Sequence, residues 1–225
     1  MSPQIMPGTK EEFQQFIRSD DFPCVGAKSA LVRDAIQLVE VGAFDSTQSD
    51  LDIHRALLAF GDETLDLDGP LVQSFVVIFD GPRDLDERGF EKCLWDRLQS
   101  LHNIDVSAGH EWTEDTSADP SSAHFSLSLG GQAYFVIGLH PQSSRAARRF
   151  HRPALVFNSH EQFERLRRDG RYEKMRQVIR AREEEFHGGI NPMLKDFGLG
   201  GEAAQYSGRR VGRNWSCPFS KKDVA

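Results

Sequence analysis

Two β-forming runs meet at Gly130-Gly131, His124 to Leu129 before the pair and Gln132 to Leu139 after it. Adjacent glycines supply the positive φ that a tight two-residue hairpin turn demands. This is the clearest hairpin in the chain, and it commits the region to an antiparallel sheet. The second run is apolar and of the right length for a strand buried on both faces. It ends at His140-Pro141, because proline removes a backbone donor and stops further pairing. A further short strand, Ala154 to Phe157, resumes after Pro153. Between the two breaks stand Ser143, Ser144, Arg145, Arg148 and Arg149. A histidine and three guanidinium groups are thus displayed where core strands stop, on a rigid frame.

The remaining elements read as follows. Thr9-x-x-Glu12 has the form of a capping box, with Phe13, Phe16 and Ile17 giving the helix behind it an apolar side. A helix is expected after Phe22-Pro23-Cys24 through Leu31, then a strand from Val39 to Phe44. Asp50 is expected to cap a helix carrying Leu51, Ile53, Leu57, Leu58 and Phe60. Asp62 to Gly69 reads as a turn, and Leu71 to Phe79 as a strong strand. Leu85 to Leu101 is amphipathic, and Asn103 to Ser122 reads as loop, pinned by Trp112. His160 to Phe186 reads as one long helix stopped by Gly188-Gly189. The tail, Asn191 to Phe219, has no regular pattern. Strands cluster around a hairpin and are not separated by regular crossover helices. The expectation is one α+β domain over 1–225, a mostly antiparallel sheet covered by helices, with an N-terminal helix within 1–20 and an irregular segment over 190–225.

At 225 residues the chain can bury an ample core, and no apolar run is long enough to span a bilayer. The first ten residues lack the charged-then-apolar plan of a signal peptide. Three cysteines, Cys24, Cys93 and Cys217, have no metal-ligand spacing, and their odd number argues against a disulfide framework. A reduced, cytoplasmic protein is expected. The net charge of −7 is divided unevenly. Residues 1–140 carry 9 Lys and Arg against 24 Asp and Glu, whereas residues 141–225 carry 18 against 10. The basic third could neutralise an anionic ligand, or the two parts could simply attract each other within one fold. The acidic first part would repel nucleic acid.

Several motifs are excluded. Val25-Gly26-Ala27-Lys28-Ser29 lacks the glycine that precedes the lysine of a phosphate loop, and His160-Glu161 lacks the second histidine of a zincin helix. Cys-x-x-Cys-His is absent, which leaves haem held by one axial ligand as the haem option. His140 is the first metal-ligand candidate, since it ends a buried strand beside the arginines. His102 is the second; it closes the amphipathic helix, where a protonated ring would suit the dipole. His160 reads as a capping residue of the long helix. Arg145, Arg148 and Arg149 have spacings of three and four, and paired guanidinium groups hold carboxylates or phosphates bidentately. A solvated basic face is the alternative. Cys24 stands near a helix start, where the dipole can lower a thiol pKa; a buried, inert thiol is the competing reading, and Cys217 shares that balance.

Longer blocks carry a resemblance. Phe22-Pro23-Cys24, Leu101-His102-x-x-Asp105, His140-Pro141-x-Ser-Ser-Arg145-x-x-Arg148-Arg149-Phe150 and Phe157-Asn158-x-His160-x-Gln162-Phe163 are similar to the YqcI/YcgG family. So are Asp169-Gly-Arg-Tyr172, Asn191-Pro192-Met193-Leu194, Gln205-Tyr206-Ser207-Gly208-Arg209 and Trp215-x-Cys217-Pro218-Phe219. Members of that family include haem-dependent N-hydroxylases that oxidise the guanidine of arginine or a cyclic arginine derivative, as in guanitoxin biosynthesis. The resemblance implies haem b, dioxygen or peroxide as oxidant, an external electron donor and a guanidino amino acid as substrate. A homodimer is left open, and neither nucleic acid nor membrane is expected as a partner. On this reading His140 or His102 is the axial ligand, with Cys24 or Cys217 as a thiolate competitor. Ser144, Arg145, Arg148 and Arg149 surround the cofactor, the arginines holding its propionates. Carboxylates for a guanidinium are expected from the acidic first 140 residues. The alternatives are a haem- or anion-binding sensor or carrier without turnover, and a haem-free enzyme using Cys24 as nucleophile.

Overall fold

The computed structural model describes residues 8–64, 72–188 and 202–224. Five strands form one sheet: β1 (Ile36–Val41), β2 (Ser74–Phe79), β3 (Leu127–Leu129), β4 (Gln132–Leu139) and β5 (Ala154–Ser159), in the order β1-β2-β5-β4-β3. Only β1 and β2 run parallel; the other three pairings are antiparallel. Helix α3 (Asp50–Thr64) makes the long return that a parallel pair requires. The other helices are α1 (Thr9–Arg18), α2 (Val25–Val32), α4 (Glu87–Ser107), α5 (His160–Arg168), α6 (Tyr172–His187) and α7 (Ala203–Tyr206). The class is α+β. No helix among the described residues is long and apolar enough to cross a membrane.

Strand parity divides the molecule. Successive side chains of a strand point to opposite faces, and both faces of this sheet are covered. Phe75, Val77 and Phe79 of β2, with Val136 of β4 and Leu155 and Phe157 of β5, pack with Ile53, Leu57 and Phe60 of α3 and Phe90, Leu94, Leu98 and Leu101 of α4. Gly138 belongs to this side, where an added Cβ would stand 2.6 Å from Phe90 Cε1. Val76 and Ile78 of β2, Leu139 of β4 and Ala154 of β5 pack with Phe13 and Ile17 of α1 and Phe150, with Ala27 and Leu31 of α2 beside them.

The hairpin forms as its glycines require, with φ of 60° at Gly130 and 70° at Gly131. Other boundaries move for identifiable reasons. β1 begins at Ile36, not Val39, because it pairs in register with β2 from Ser74 onward. Helix α4 continues through the expected loop to Ser107, its buried stripe carried on by the polar pair His102 and Asp105. Asp105 has partners that make its burial tolerable: it accepts from His54 Nε2 at 2.7 Å and from the Gly130 N–H at 2.9 Å. The single helix expected over 160–186 is two, divided where Gly170 takes φ 67°. Helix α1 is entered from Gly8, with Thr9 inside its first turn, so Thr9 does not cap it. Trp112 does pin its segment, packing against Phe125 and Phe219. Helix α7 lies within the tail that shows no pattern. The turn expected at 65–69 and the blocks at 191–194 and 198–201 lie outside the described residues.

Candidate functional site

The second face of the sheet does not close completely against its helices. A cavity of about 290 Å³ lies between it and α1, α2, α5 and α6, near the lower end of the volumes typical of small-molecule sites. Its floor is made by alternate residues of four strands, among them Ile36, Val76, Ile137 and Val156. Ser74 donates to Asn158 Oδ1 at 2.8 Å within that floor. Phe13, Phe16, Phe22, Phe135 and Phe163 give it aromatic walls, and Met175 and Ile179 of α6 cover it.

Charged groups stand on this apolar frame, and among the described residues all of them come from beyond residue 140: Arg145, Arg148, Arg167, Arg176, Arg180, Glu183 and Glu202. Among the described residues the lining carboxylates, Glu183 and Glu202, come from the basic C-terminal third and not from the acidic first 140 residues expected to supply them. Asp50, in that acidic part, forms a buried ion pair with Arg97.

Arg145 and Arg148 line the cavity; Arg149, Ser144, His140 and His102 do not. Arg145 donates to Glu183 at 2.7 Å. Arg148 is buried and donates to three backbone carbonyls, those of Gly138 (3.2 Å), Tyr206 (2.9 Å) and Gln205 (3.0 Å). Burial lowers its pKa to about 9, which leaves it charged at neutral pH. It ties α7 to β4. Arg149 donates to the carbonyls of Ser143 and Ser144, and Ser144 donates to Glu87 from both its amide and its hydroxyl. These two residues hold the connection after β4 in shape.

Strand parity also places His140. It follows Leu139, which faces the cavity, so its own ring turns to the opposite side. There it stacks on Phe90 at 4.2 Å between centroids and 14° between planes. Its Nδ1 is buried with no hydrogen-bond partner among the described residues. Burial pushes its pKa down to about 4, so the ring is neutral. His102, inside α4, accepts from the Lys222 N–H at Nε2 (2.9 Å) and packs on Trp112 and Phe219. Burial lowers its pKa too, against the protonated state expected for a helix end. The structure brings neither histidine to the cavity. Cys217 is half-buried beside the same core, its pKa raised to about 12 by burial.

Two other groups reach the wall. Cys24 is the N-cap of α2, its Sγ accepting from the Ala27 N–H at 3.4 Å. The dipole expected to acidify this thiol is outweighed by burial, which raises its pKa. His160 opens α5 and lies on the wall with Ser126 Oγ 3.3 Å from Nδ1 and Glu164 Oε1 3.3 Å from Nε2. Both ring nitrogens are engaged. Ser126 Oγ also donates to Glu202 Oε2 at 3.2 Å, and burial raises the Glu202 pKa to about 7. Sequence reasoning did not foresee this Ser126–His160–Glu202 grouping, whose members lie 34 and 42 residues apart. A readable sign of the site was present in α6, where Tyr172, Met175, Arg176, Ile179, Arg180 and Glu183 recur at helical spacing and mix charge with apolar bulk.

Haem can be tested against these donors. Its apolar ring would suit the aromatic walls, and the lining arginines suit two carboxylates. Among lining groups, Cys24 has a sulfur of the kind that ligates haem iron. The donor set fits on these terms with Cys24 as ligand, and does not fit with His140 or His102. Among the described residues no group of three or more His, Cys, Asp and Glu side chains could hold a bare metal ion; a haem iron asks for fewer.

Fold and cavity together define an α+β domain with an apolar cavity lined in part by arginines. The chain belongs to the YqcI/YcgG family, whose sequence model matches residues 13–220. It is similar to the uncharacterized protein YqcI of Bacillus subtilis (strain 168), at 27% identity over 154 residues. That match covers 66% of this chain and 59% of YqcI, so less than two thirds of the relative's length is spanned. No solved structure matches the chain.

Proposed function

We propose that this protein is a haem-dependent monooxygenase that N-hydroxylates the guanidine of arginine or an arginine-derived amino acid. The observation that carries the proposal is the apolar chamber with Cys24 Sγ on one wall and lining arginines around it. Cys24 would hold the iron, with its Ala27 amide bond fixing the sulfur. Haem bound through a thiolate supplies activation of dioxygen or peroxide. The chain's own residues do the rest. The aromatic walls exclude water, the lining arginines of α5 and α6 have the sign that carboxylates require, and Glu183, paired with Arg145 at 2.7 Å, has the sign a guanidinium requires. The resemblance described above supplies the reaction type.

The test is to express the chain with a haem precursor, load it with hemin, and incubate it with arginine and its methylated and cyclic analogues, an oxidant and a reductant. Mass spectrometry should find one added oxygen on a guanidine, and Cys24→Ala should lose both the haem spectrum and the product. Haem binding without oxygen transfer would favour a sensor or carrier instead.

A further inference from the structure

An apolar chamber that reduces dioxygen has a supply problem. Inserting one oxygen atom into a guanidine N–H breaks the O–O bond, forms N–OH and releases the second oxygen as water. That balance consumes two electrons from an external donor and two protons from solvent. Aromatic walls do not conduct protons. We propose that Glu164, His160, Ser126 and Glu202 form a proton relay from solvent into the cavity, ending on the Glu202 carboxyl; the inference rests on the reading of the cavity as an oxygenase site.

Four observations support it. Glu164 is 34% exposed to solvent, and its Oε1 also pairs with Arg167. Its Oε1 is 3.3 Å from His160 Nε2. Ser126 is fully buried, with Oγ 3.3 Å from His160 Nδ1 and 3.2 Å from Glu202 Oε2. His160 and Glu202 both line the cavity. Ser126 has one proton and two partners, so it must donate to one and accept from the other.

When Glu202 is ionised, Ser126 donates to it and accepts Nδ1–H from His160. A proton arriving at Nε2 from the Glu164 side then displaces the Nδ1 proton to Ser126, and the Ser126 proton to Glu202. Afterwards Nε2–H faces Glu164, Ser126 donates to Nδ1, and Glu202 carries the proton at the cavity wall. At this stage one proton has entered and is held on Glu202; when Glu202 passes it into the cavity the relay differs from its starting state only in polarity, and rotation of the Ser126 hydroxyl with return of the His160 tautomer resets it. The charges around it suit this traffic. Arg167 lowers the pKa of both Glu202 and His160, whereas Glu164 raises both, and Glu161 and Asp115 add to the pull on His160. Burial lowers the His160 pKa and brings that of Glu202 to about 7, where a group can both take and give a proton.

The relay can be read without haem. Full-length chain labelled with ¹⁵N-histidine is titrated from acid to alkaline pH by NMR, with His160→Gln assigning the resonance. His160 should convert between its two tautomers at the midpoint at which an infrared carboxylic C=O band, absent in Glu202→Gln, disappears. Ser126→Ala should keep the band but uncouple the tautomer change from it. In hemin-loaded protein, Glu202→Gln and Ser126→Ala should retain the wild-type Soret band yet lower product per electron pair by about 10²-fold, with peroxide released instead, and Glu202→Asp should restore part of the yield. A His160 tautomer indifferent to Glu202, or unchanged coupling of electrons to product in both variants, overturns the relay. Tautomer coupling in a chain that takes up no hemin would leave the relay standing and remove only the oxygenase reading.

Discussion

Arg148→Met removes a guanidinium that the family resemblance assigns to a cofactor carboxylate, but which the structure commits to the protein itself. Its three bonds run to the carbonyls of Gly138, Tyr206 and Gln205, at 3.2, 2.9 and 3.0 Å. Hydrogen bonds from a charged donor contribute about 1.5 kcal/mol each at the lower end of their range, so about 4–5 kcal/mol is at stake. Part of that returns. Gln205 O keeps its bond from the Gly208 N–H, and a buried charge no longer needs desolvating, which together give back about 1–2 kcal/mol. A net loss of about 3 kcal/mol is expected, or roughly 6–12 °C in Tm for a chain of this size. Urea unfolding followed by circular dichroism measures it. Hydrogen exchange should show the amides of α7 opening first, since Arg148 tethers them to β4 beside the Tyr206 hydroxyl, which donates to Tyr134 O. If Arg148→Met costs under about 1 kcal/mol while hemin affinity falls, the residue anchors a ligand and this reasoning fails.

Two more perturbations follow from buried polar groups. His140 has a folded-state pKa of about 4, below its unfolded value of about 6.5; the unfolded chain therefore takes up a proton first as pH falls. About 3 kcal/mol of stability should be lost between pH 6.5 and 4, and His140→Phe, which keeps a ring against Phe90, should remove that slope from the urea midpoints. Asp105→Asn takes the charge from a carboxylate that joins His54 of α3 to the Gly130 amide of the hairpin turn. It should cost about 2 kcal/mol and lower Tm by roughly 4–8 °C in differential scanning calorimetry; an unchanged Tm would show that the pair contributes nothing net.

Much of the fold was legible where one residue type controls the backbone. Gly130-Gly131 announced the hairpin, Pro141 and Pro153 bounded the strand break, and the stripe of Phe90, Leu94 and Leu98 announced α4. What failed was reading polar residues as ends. His102 looks like the close of an amphipathic helix and Asp105 like part of the loop after it, but their partners, Lys222 and His54, lie far along the chain. The site was half legible for a similar reason. Arg145 and Cys24 do reach the cavity, whereas His140, although it ends a strand beside the arginines, has the parity of the opposite face. Leu139 points to the cavity, so its neighbour cannot. The Ser126, His160 and Glu202 grouping has no local signature, because strand, helix and tail meet only in three dimensions.

The claim most in need of testing is that haem sits in the cavity on Cys24. Hemin-loaded wild type, Cys24→Ala, His140→Ala and His102→Ala should be compared by absorption, reduced under carbon monoxide. Wild type, His140→Ala and His102→Ala are expected to give the red-shifted ferrous–CO Soret band of thiolate ligation, and Cys24→Ala to lose it. A colourless wild-type protein, or a band unchanged in Cys24→Ala and abolished in His140→Ala, would contradict the account.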